Sequence, residues 1–596
     1  MNKRRKIVCL IGLSCVSVLA LAACGGGGTS GGGDDKVDTS KFSVMTSNKD
    51  AAIEGQTLEI AVVNDSPFAG LFSPILSKDA YDTYFMAPTG FGTIYDMDEN
   101  GKIKDGGPAN FKLDRDSKTG TVTLRDDLMW SDGTPVTADD YIGTMKIIAD
   151  KDYTGVRYSD ITDVVGVEDF HAGKADDISG LKKVDDHTIE VTYTDVSPGT
   201  ELMGSGGTLN YVVPYAQLKD IPVKDLESSD PIRKHPLSFG PFVVNAIVPG
   251  ESVELKVNEH FYGDKPKVDK IVLKNTSSDA VTQSLQAKQF DLVFSMPTDS
   301  FDKYKDTAGY EMLGTPEMSY SYIGFKLGKF DSATNKNIMD EHAKMNNVSL
   351  RQAMGYALDQ TKVGEKFYFG LRTQANTLIV PAFGDLSAPR SMIPGYGHEA
   401  DLDKANKLLD EAGYKKGDDG MRTDPDGKDL VINFASMSGT DIAEPLSQYY
   451  IQQWQEIGLN VKLVDGRLLD FQTFYQRVQD DDPGIDVFQG AWSLDWNPDP
   501  TSLYSESAAF NMTRYVSDEN TKLIKDIASD KSFDDAHRKE AFLAWQKYAS
   551  EQAFVIPTLF RTAIYPVSER VTNLDMGNTA SAYDVWSTVG VSKADR

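Results

Sequence analysis

The sequence predicts a mixed α/β protein built as two or more domains. Three observations lead there: a chain of 596 residues, strand-like runs that alternate with amphipathic helical runs from about Thr57 onward, and no short-period repeat. TLEIAVVND (57–65) and TIEVTYTD (188–195) read as strands, the second through the period-two placing of Ile189, Val191 and Tyr193. In SLRQAMGYALD (349–359), Leu350, Ala353, Met354, Ala357 and Leu358 fall at helical spacing, so one face is apolar, and Ser349 is the expected N-cap. DKANKLLDEAG (403–413) reads as another helix, stopped by Gly413.

The opening residues set the compartment. MNKRRK (1–6) carries four positive charges, and the apolar run 7–23 ends in small residues, which is the layout of a secretory signal; 17 residues are short for a membrane span. LAAC (21–24) resembles the lipobox of bacterial lipoproteins, which implies cleavage after residue 23 and a diacylglycerol on Cys24. Cys9 and Cys15 lie inside the signal, so the processed chain keeps Cys24 alone and has no partner for an internal disulfide. A chain this long buries enough apolar surface to need none. The expected N-terminal organisation is a lipoprotein signal peptide at 1–23 and a lipidated flexible linker at 24–56, opening with GGGGTSGGGDDKVDTSKFS (25–43). Matches to GxSxG and GxGxxG inside this glycine tract lack the strand-to-helix setting that gives those patterns their mechanics.

With 89 acidic against 61 basic residues and a formal charge of −28 at pH 7, the chain repels phosphate backbones and anionic surfaces, which argues against nucleic acid as a partner. The sequence has no GxxxxGK[ST] phosphate loop, so it is not itself a P-loop ATPase, and HExxH and paired CxxC are missing too. The seven histidines are scattered singly in polar surroundings and do not point to zinc. No cofactor and no metal are expected. DMDENGKI (96–103) copies the first eight positions of an EF-hand loop, yet position twelve is Gly107 where a bidentate Glu is needed. Asn100-Gly101 between strand-like runs reads instead as a hairpin turn, and Asp424-Pro425-Asp426-Gly427 reads as another turn.

TVTLRDDLMWSDGTPVTADDYI (121–142) resembles the signature of the family 5 extracellular solute-binding proteins, the oligopeptide- and dipeptide-binding receptors of ABC importers. Read from the residues alone, Asp132-Gly133 makes a turn and Thr137 caps a helix, with Asp140 in a capping-box position. The resemblance continues through SFGPF (238–242), NEHFYGDKP (258–266), QFDL (289–292), VSLRQA to ALD (348–359) and the run 405–414 ending LLDEAGY. It implies a two-lobed periplasmic-binding-protein-like α/β fold (class II, cluster C) with an extra subdomain in the first lobe, closing on its ligand like a hinged shell. Mapped by motif, the first lobe covers 57–296, with the extra subdomain at about 83–210. The second lobe covers 297–556, the C-terminal return to the first lobe covers 557–596, and the crossings fall near 294–297 and 555–559.

GAWSLDWNPDP (490–500) is where the resemblance places the ligand. Family relatives carry an Ala-Gly-Trp run followed, three residues after the tryptophan, by an aspartate that pairs with the ligand's α-ammonium. Gly490-Ala491-Trp492 followed by Asp495 has that spacing and makes Asp495 the charge anchor. On the register of other relatives, Asn497 and Asp499 take the acidic positions instead. Trp492 and Trp496 supply walls and π faces for a cation, unless they are core residues and Asp495 caps a turn. An extended peptide then adds as a strand along Gly490, Ala491, Trp492 and Ser493, and along 66–71 of the first lobe. The expected function is that of a lipid-anchored monomer at the outer face of the cytoplasmic membrane. It captures oligopeptides and passes them to a permease whose ATPase subunits are separate chains. The same family also includes receptors for dipeptides, opines, sugars, metal chelates and haem, and an exported hydrolase using Asp495 and Asp499 is the reading of another class.

Overall fold

The strands run, in chain order, β1 (Thr57–Val63), β2 (Asp96–Met97), β3 (Ile103–Lys104), β4 (Ala109–Asp114), β5 (Thr119–Leu124), β6 (Leu181–Lys183) and β7 (Thr188–Thr192). Next come β8 (Phe242–Val248), β9 (Ser252–Val257), β10 (Lys270–Thr276), β11 (Leu292–Phe294), β12 (Tyr310–Phe325), β13 (Gly328–Asp331) and β14 (Lys336–Met339). The last that concern the site are β15 (Arg372–Gln374), β16 (Val431–Ala435), β17 (Asn460–Leu463), β18 (Val487–Ser493) and β19 (Val555–Ser568). The computed structural model describes residues 37–204, 208–578 and 581–595, so the signal, the lipobox and Cys24 lie outside the described residues.

One eleven-stranded sheet organises the chain, in the order β17-β16-β18-β12-β19-β11-β1-β10-β9-β8, with β15 paired to β19. Parallel pairs stand on either side: β1 with β10 and β11, and β16 with β17 and β18. The long antiparallel pair β12 and β19 joins them, and its register shifts between Pro316 and Tyr320. β1 is apolar on both faces, with Leu58, Ile60, Ala61 and Val62 all fully buried, as a strand between two parallel neighbours requires. A separate four-stranded sheet, β4-β5-β7-β6, shows the one-sided alternation read at Ile189 and Val191.

The fold is the two-lobed α/β architecture, and its cores divide accordingly. One apolar cluster gathers buried residues between Tyr320 and Leu559, and another gathers residues between Leu71 and Phe239 with Tyr583. Two smaller clusters pack around β1, β10 and β11 and take in Ile564 and Val567 of β19.

Local signals mostly become the expected elements. Thr137 and Asp140 form the capping box of helix Ala138–Ala149. The 96–104 stretch is the β2/β3 hairpin, in which Asp98 Oδ1 accepts the amides of Asn100 and Lys102 at 2.9 and 3.0 Å, so that carboxylate is spent on the turn. The turn at 424–427 closes through Gly427 N–H to Asp424 O at 2.9 Å. The expected cap at Ser349 moves two residues upstream: Asn347 caps helix Val348–Tyr356, because its side chain accepts both the Ser349 and Leu350 amides. Among the described residues, no helix is long and apolar enough to cross a membrane.

Candidate functional site

A cavity of about 1020 Å³ opens where β12, β18 and β19 pass beneath loops from the N-terminal part of the chain. β18 brings Gly490, Ala491, Trp492 and Ser493 to its wall, and the loop that follows brings Asp495, Asn497 and Asp499. Glu317 and Tyr320 come from β12, Arg561 and Tyr565 from β19, and Arg372 from β15. Asp65, Ser66, Tyr81, Tyr84 and Arg157 close the other side. Gly490 is required at its place, because a Cβ there would stand 2.9 Å from the Tyr322 ring, against which the strand lies. At the rim, the two sides touch through Tyr81 and Phe471, edge to face with centroids 5.0 Å apart.

The structure brings most of the expected residues together, with one exception. Trp492 faces the cavity, stacks on Tyr322 at 6.2 Å and meets Phe510 edge-on at 5.0 Å, which fixes its indole. Trp496 does not line the cavity. Its Nε1 donates to Asn578 O at 3.3 Å and its Cβ packs on Gly101 of the β2/β3 turn, where an added methyl would come within 2.5 Å. The expectation of two tryptophan walls is therefore corrected to one, because the second indole is used in packing against the hairpin.

Asp495, Asn497 and Asp499 form a chain of side-chain turns. Asp495 Oδ1 accepts Asn497 N–H at 3.1 Å, Asn497 Oδ1 accepts Asp499 N–H at 3.2 Å, and Asp499 Oδ1 accepts Thr501 N–H at 2.8 Å. Asp495 thus lines the cavity and holds a turn at once. Asp499 is buried, and that burial pushes its carboxyl above the usual range, against the pull of its two Thr501 hydrogen bonds. Asp495 lies against Gly204, where a Cβ would collide with the carboxylate and where the φ of +131° separately disfavours any side chain.

Only part of the expected backbone is free to receive a strand. β18 pairs β16 only as far as Phe488, leaving its outer edge open from Gln489 to Ser493. At Ala491 this edge is covered by Tyr475, whose hydroxyl donates to Ala491 O at 3.2 Å and accepts Ala491 N–H at 3.4 Å. The 66–71 segment is engaged internally: Asp82 accepts Gly70 N–H and Leu71 N–H at 2.8 and 2.6 Å, Asn275 donates to Ser66 O, and Arg233 donates to Ala69 O. Asp82 folds this loop back on itself, so it presents side chains rather than a ladder.

Sequence reasoning missed the basic lining. Arg157 borders the cavity within the field of Asp495. Burial pulls its pKa down, but Tyr211, Asp160, Tyr153 and Asp495 outweigh that and hold the guanidinium charged. Arg372 and Arg561 sit in strand runs whose alternation marks burial and says nothing of partners. Among the described residues, no group of three or more His, Cys, Asp or Glu side chains is placed to hold a metal ion.

The model of the bacterial extracellular solute-binding proteins, family 5 (Middle), matches residues 108–513. The chain belongs to this family. It is 37% identical over its whole length, and over 99% of the relative's, to the oligopeptide-binding protein OppA of Lactococcus lactis subsp. cremoris. Among solved structures it is similar to lactococcal OppA complexed with an endogenous peptide in the closed conformation. That match has 36% identity and a TM-score of 0.87, covering 90% of this chain and 100% of that one. The Bacillus subtilis protein AppA in complex with a nonapeptide shares the fold, at 20% identity and a TM-score of 0.75 over 91% of this chain and 100% of that one.

As a family 5 protein, the chain uses its motifs at 121–142, 238–242, 258–266, 289–292, 348–359 and 405–414 for architecture, since none of their residues lines the cavity, whereas the 490–500 motif does line it. Trp130 Nε1 donates to Asp140 Oδ2 at 3.3 Å, and Asp140 Oδ1 accepts Tyr215 N–H at 2.9 Å. Asn258 Nδ2 donates to Gly240 O at 2.8 Å, and the Arg125 guanidinium stands 4.6 Å from the Tyr262 ring centre, so three motifs knit into one corner. Buried Arg351 donates to the carbonyls of Met345, Asn346, Gln552 and Ala553, closing the C-terminus of helix Asp535–Gln552.

Proposed function

We propose that this chain captures oligopeptides outside the cytoplasmic membrane and hands them, chemically unchanged, to an ABC permease driven by separate ATPase chains. The observation that supports it most is the cavity: about 1020 Å³, open along a strand edge and lined by backbone and tyrosines as well as charges. The likeness over the full chain to lactococcal OppA, solved around an endogenous peptide, supports the same reading. Asp495 receives the ligand's α-ammonium, with Asp499 and Asn497 behind it and Trp492 as the adjoining wall. Cys24 carries the lipid that holds a monomer at the outer face of the membrane. On this reading the chain is a receptor that leaves its ligand unchanged, which is supported by Asp495 and Asp499 each accepting a turn amide.

The test combines two measurements. Mass spectrometry of ligands carried through native purification, and of a peptide mixture incubated with the protein, returns intact peptides; fragments would reveal a hydrolase. Asp495→Asn then weakens peptides with a free N-terminus by about ten-fold or more, and N-acetylated peptides little. Equal loss for both forms would remove the ammonium assignment.

A further inference from the structure

Two contacts outside the cavity join parts of the chain that belong to different cores. In the first, the Arg115 guanidinium stands 3.7 Å from the centre of the Phe533 ring. Arg115 sits in the β4/β5 turn, where its Nη2 donates to Glu201 Oε2 at 2.7 Å, and Lys102 Nζ stands 3.2 Å from the same carboxylate. Phe533 comes from the other side. It ends the short helical turn Asp530–Phe533, flanked by helices Asp518–Ile527 and Asp535–Gln552, whose Ile524, Ile527, Phe542 and Trp545 belong to the core between Tyr320 and Leu559. The Phe533 side chain nevertheless packs against the opposite core, the one between Leu71 and Phe239.

The second contact pairs His171 Nε2 with Asn335 Nδ2 at 2.8 Å. His171 ends helix Val167–His171, its Nδ1 lies 3.1 Å from Ala149 O, and its ring centre is 4.4 Å from that of Tyr158. A neutral ring that donates from Nδ1 to this carbonyl accepts at Nε2, which suits the Asn335 amide. Asn335 stands in the turn of the β13/β14 hairpin at a φ of +49°, a left-handed position that asparagine tolerates. That hairpin is rooted on its own side: Phe330 N–H donates to Asp481 Oδ2 at 2.7 Å, and Asn337 Nδ2 donates to Glu506 O and Ala508 O at 2.9 and 2.8 Å.

Arg115, His171 and Asn335 are thus oriented by bonds or turns within their own bodies, so bringing the halves together orders little that was free. None of these four side chains lines the cavity. Contacts made only when two bodies approach lower the free energy of the approached state whatever lies between them. We infer that Arg115 with Phe533, and His171 with Asn335, form a clasp that holds the two bodies together over a captured ligand and slows its release by the same factor for every ligand. The clasp rests on the capture reading of the cavity and adds a retaining force that no ligand side chain has to supply.

The experiment is stopped-flow association and dissociation on native protein, Arg115→Gln, Asn335→Gly and the double variant. The probes are two synthetic nonapeptides, one alanine-rich and one leucine-rich. Arg115→Gln takes the cation off the ring, and Asn335→Gly removes the amide at a φ that glycine adopts freely. Each single variant raises both dissociation rates about three-fold and the double variant about ten-fold, with association rates unchanged within about two-fold. If Arg115→Gln weakens folding through Glu201, Phe533→Leu removes the π face from the other side and gives the same factor. Dissociation rates that stay at the native value, or that rise by clearly different factors for the two peptides, would overturn the clasp alone. Native protein that binds neither nonapeptide overturns the peptide reading. The clasp is then decided by small-angle X-ray scattering of the free proteins, where a larger radius of gyration for the double variant supports it and equal radii overturn it.

Discussion

Arg570 grips Asp291 with two parallel bonds, Nε to Oδ1 at 2.6 Å and Nη2 to Oδ2 at 2.8 Å, with both side chains out of water. Asp291 Oδ2 also accepts Glu59 N–H at 2.9 Å, and Arg570 Nη1 donates to the carbonyls of Lys593 and Ala594. One ion pair thereby ties β1, the entry of β11 and the C-terminal stretch into a single unit. Asp291 belongs to the QFDL motif, and this is its physical reason.

Removing one partner leaves the other charge buried and alone. Asp291→Ala therefore lowers unfolding free energy by about 3–5 kcal/mol, measured by urea denaturation. The double change Asp291→Leu/Arg570→Met costs clearly less than the single one, because no orphaned charge remains. A single variant as stable as the native chain would contradict this.

Lys326 gives a pH signature. Burial lowers its pKa to about 8, helped by the Arg514 guanidinium and opposed by Asp481, whose carboxylate both basic groups contact. A lysine whose folded pKa lies below its unfolded value of 10.5 opposes folding. The cost is full below pH 8 and disappears as pH rises from about 8 to 10.5. Lys326→Met consequently gains on the native chain at pH 7 relative to pH 10.5, by on the order of 3 kcal/mol. Thermal unfolding at the two pH values checks this, and a pH-independent difference would refute it.

Tyr475 guards the strand edge at Ala491, and a peptide that adds there must displace its hydroxyl. Tyr475→Phe frees the N–H and C=O in advance and tightens peptide binding roughly two- to ten-fold in titration. Weaker binding would mean that the hydroxyl is itself a ligand contact and that no strand forms at Ala491.

Gly101 has a φ of +78° and stands against the Trp496 side chain. Gly101→Ala strains the turn by about 1–2 kcal/mol and also drives a methyl into the indole, so unfolding free energy falls by more than the strain alone, measured by urea denaturation. Gly55→Ala, with a φ of +75° and nothing within 4 Å of the added carbon, has the strain alone and loses less.

Local patterning made β1, β7, the Thr137 capping box and the β2/β3 hairpin legible, because each is decided by residues within about ten positions of one another. The cap at Asn347 was missed by two positions because Asn347 and Ser349 are both good capping residues and only the amide geometry chooses between them. Asp495 was reachable through a family motif, and its turn-forming role came from its neighbours. Arg372 and Arg561 were not reachable. They are brought side by side by strand register between segments far apart in sequence, and nothing near either residue announces the other. Trp496 looked like Trp492 in sequence, and only its contact with Gly101 turns it away.

The register shift between Pro316 and Tyr320 lies beside the part of β19 that carries Arg561. A ladder with a break bends more easily there, so this stretch of the β12/β19 ribbon, which also forms part of the cavity wall, is its most pliable point. A change in the cavity lining at residue 561 is therefore also a change to the most deformable part of the ribbon, and its effects on shape and on lining travel together.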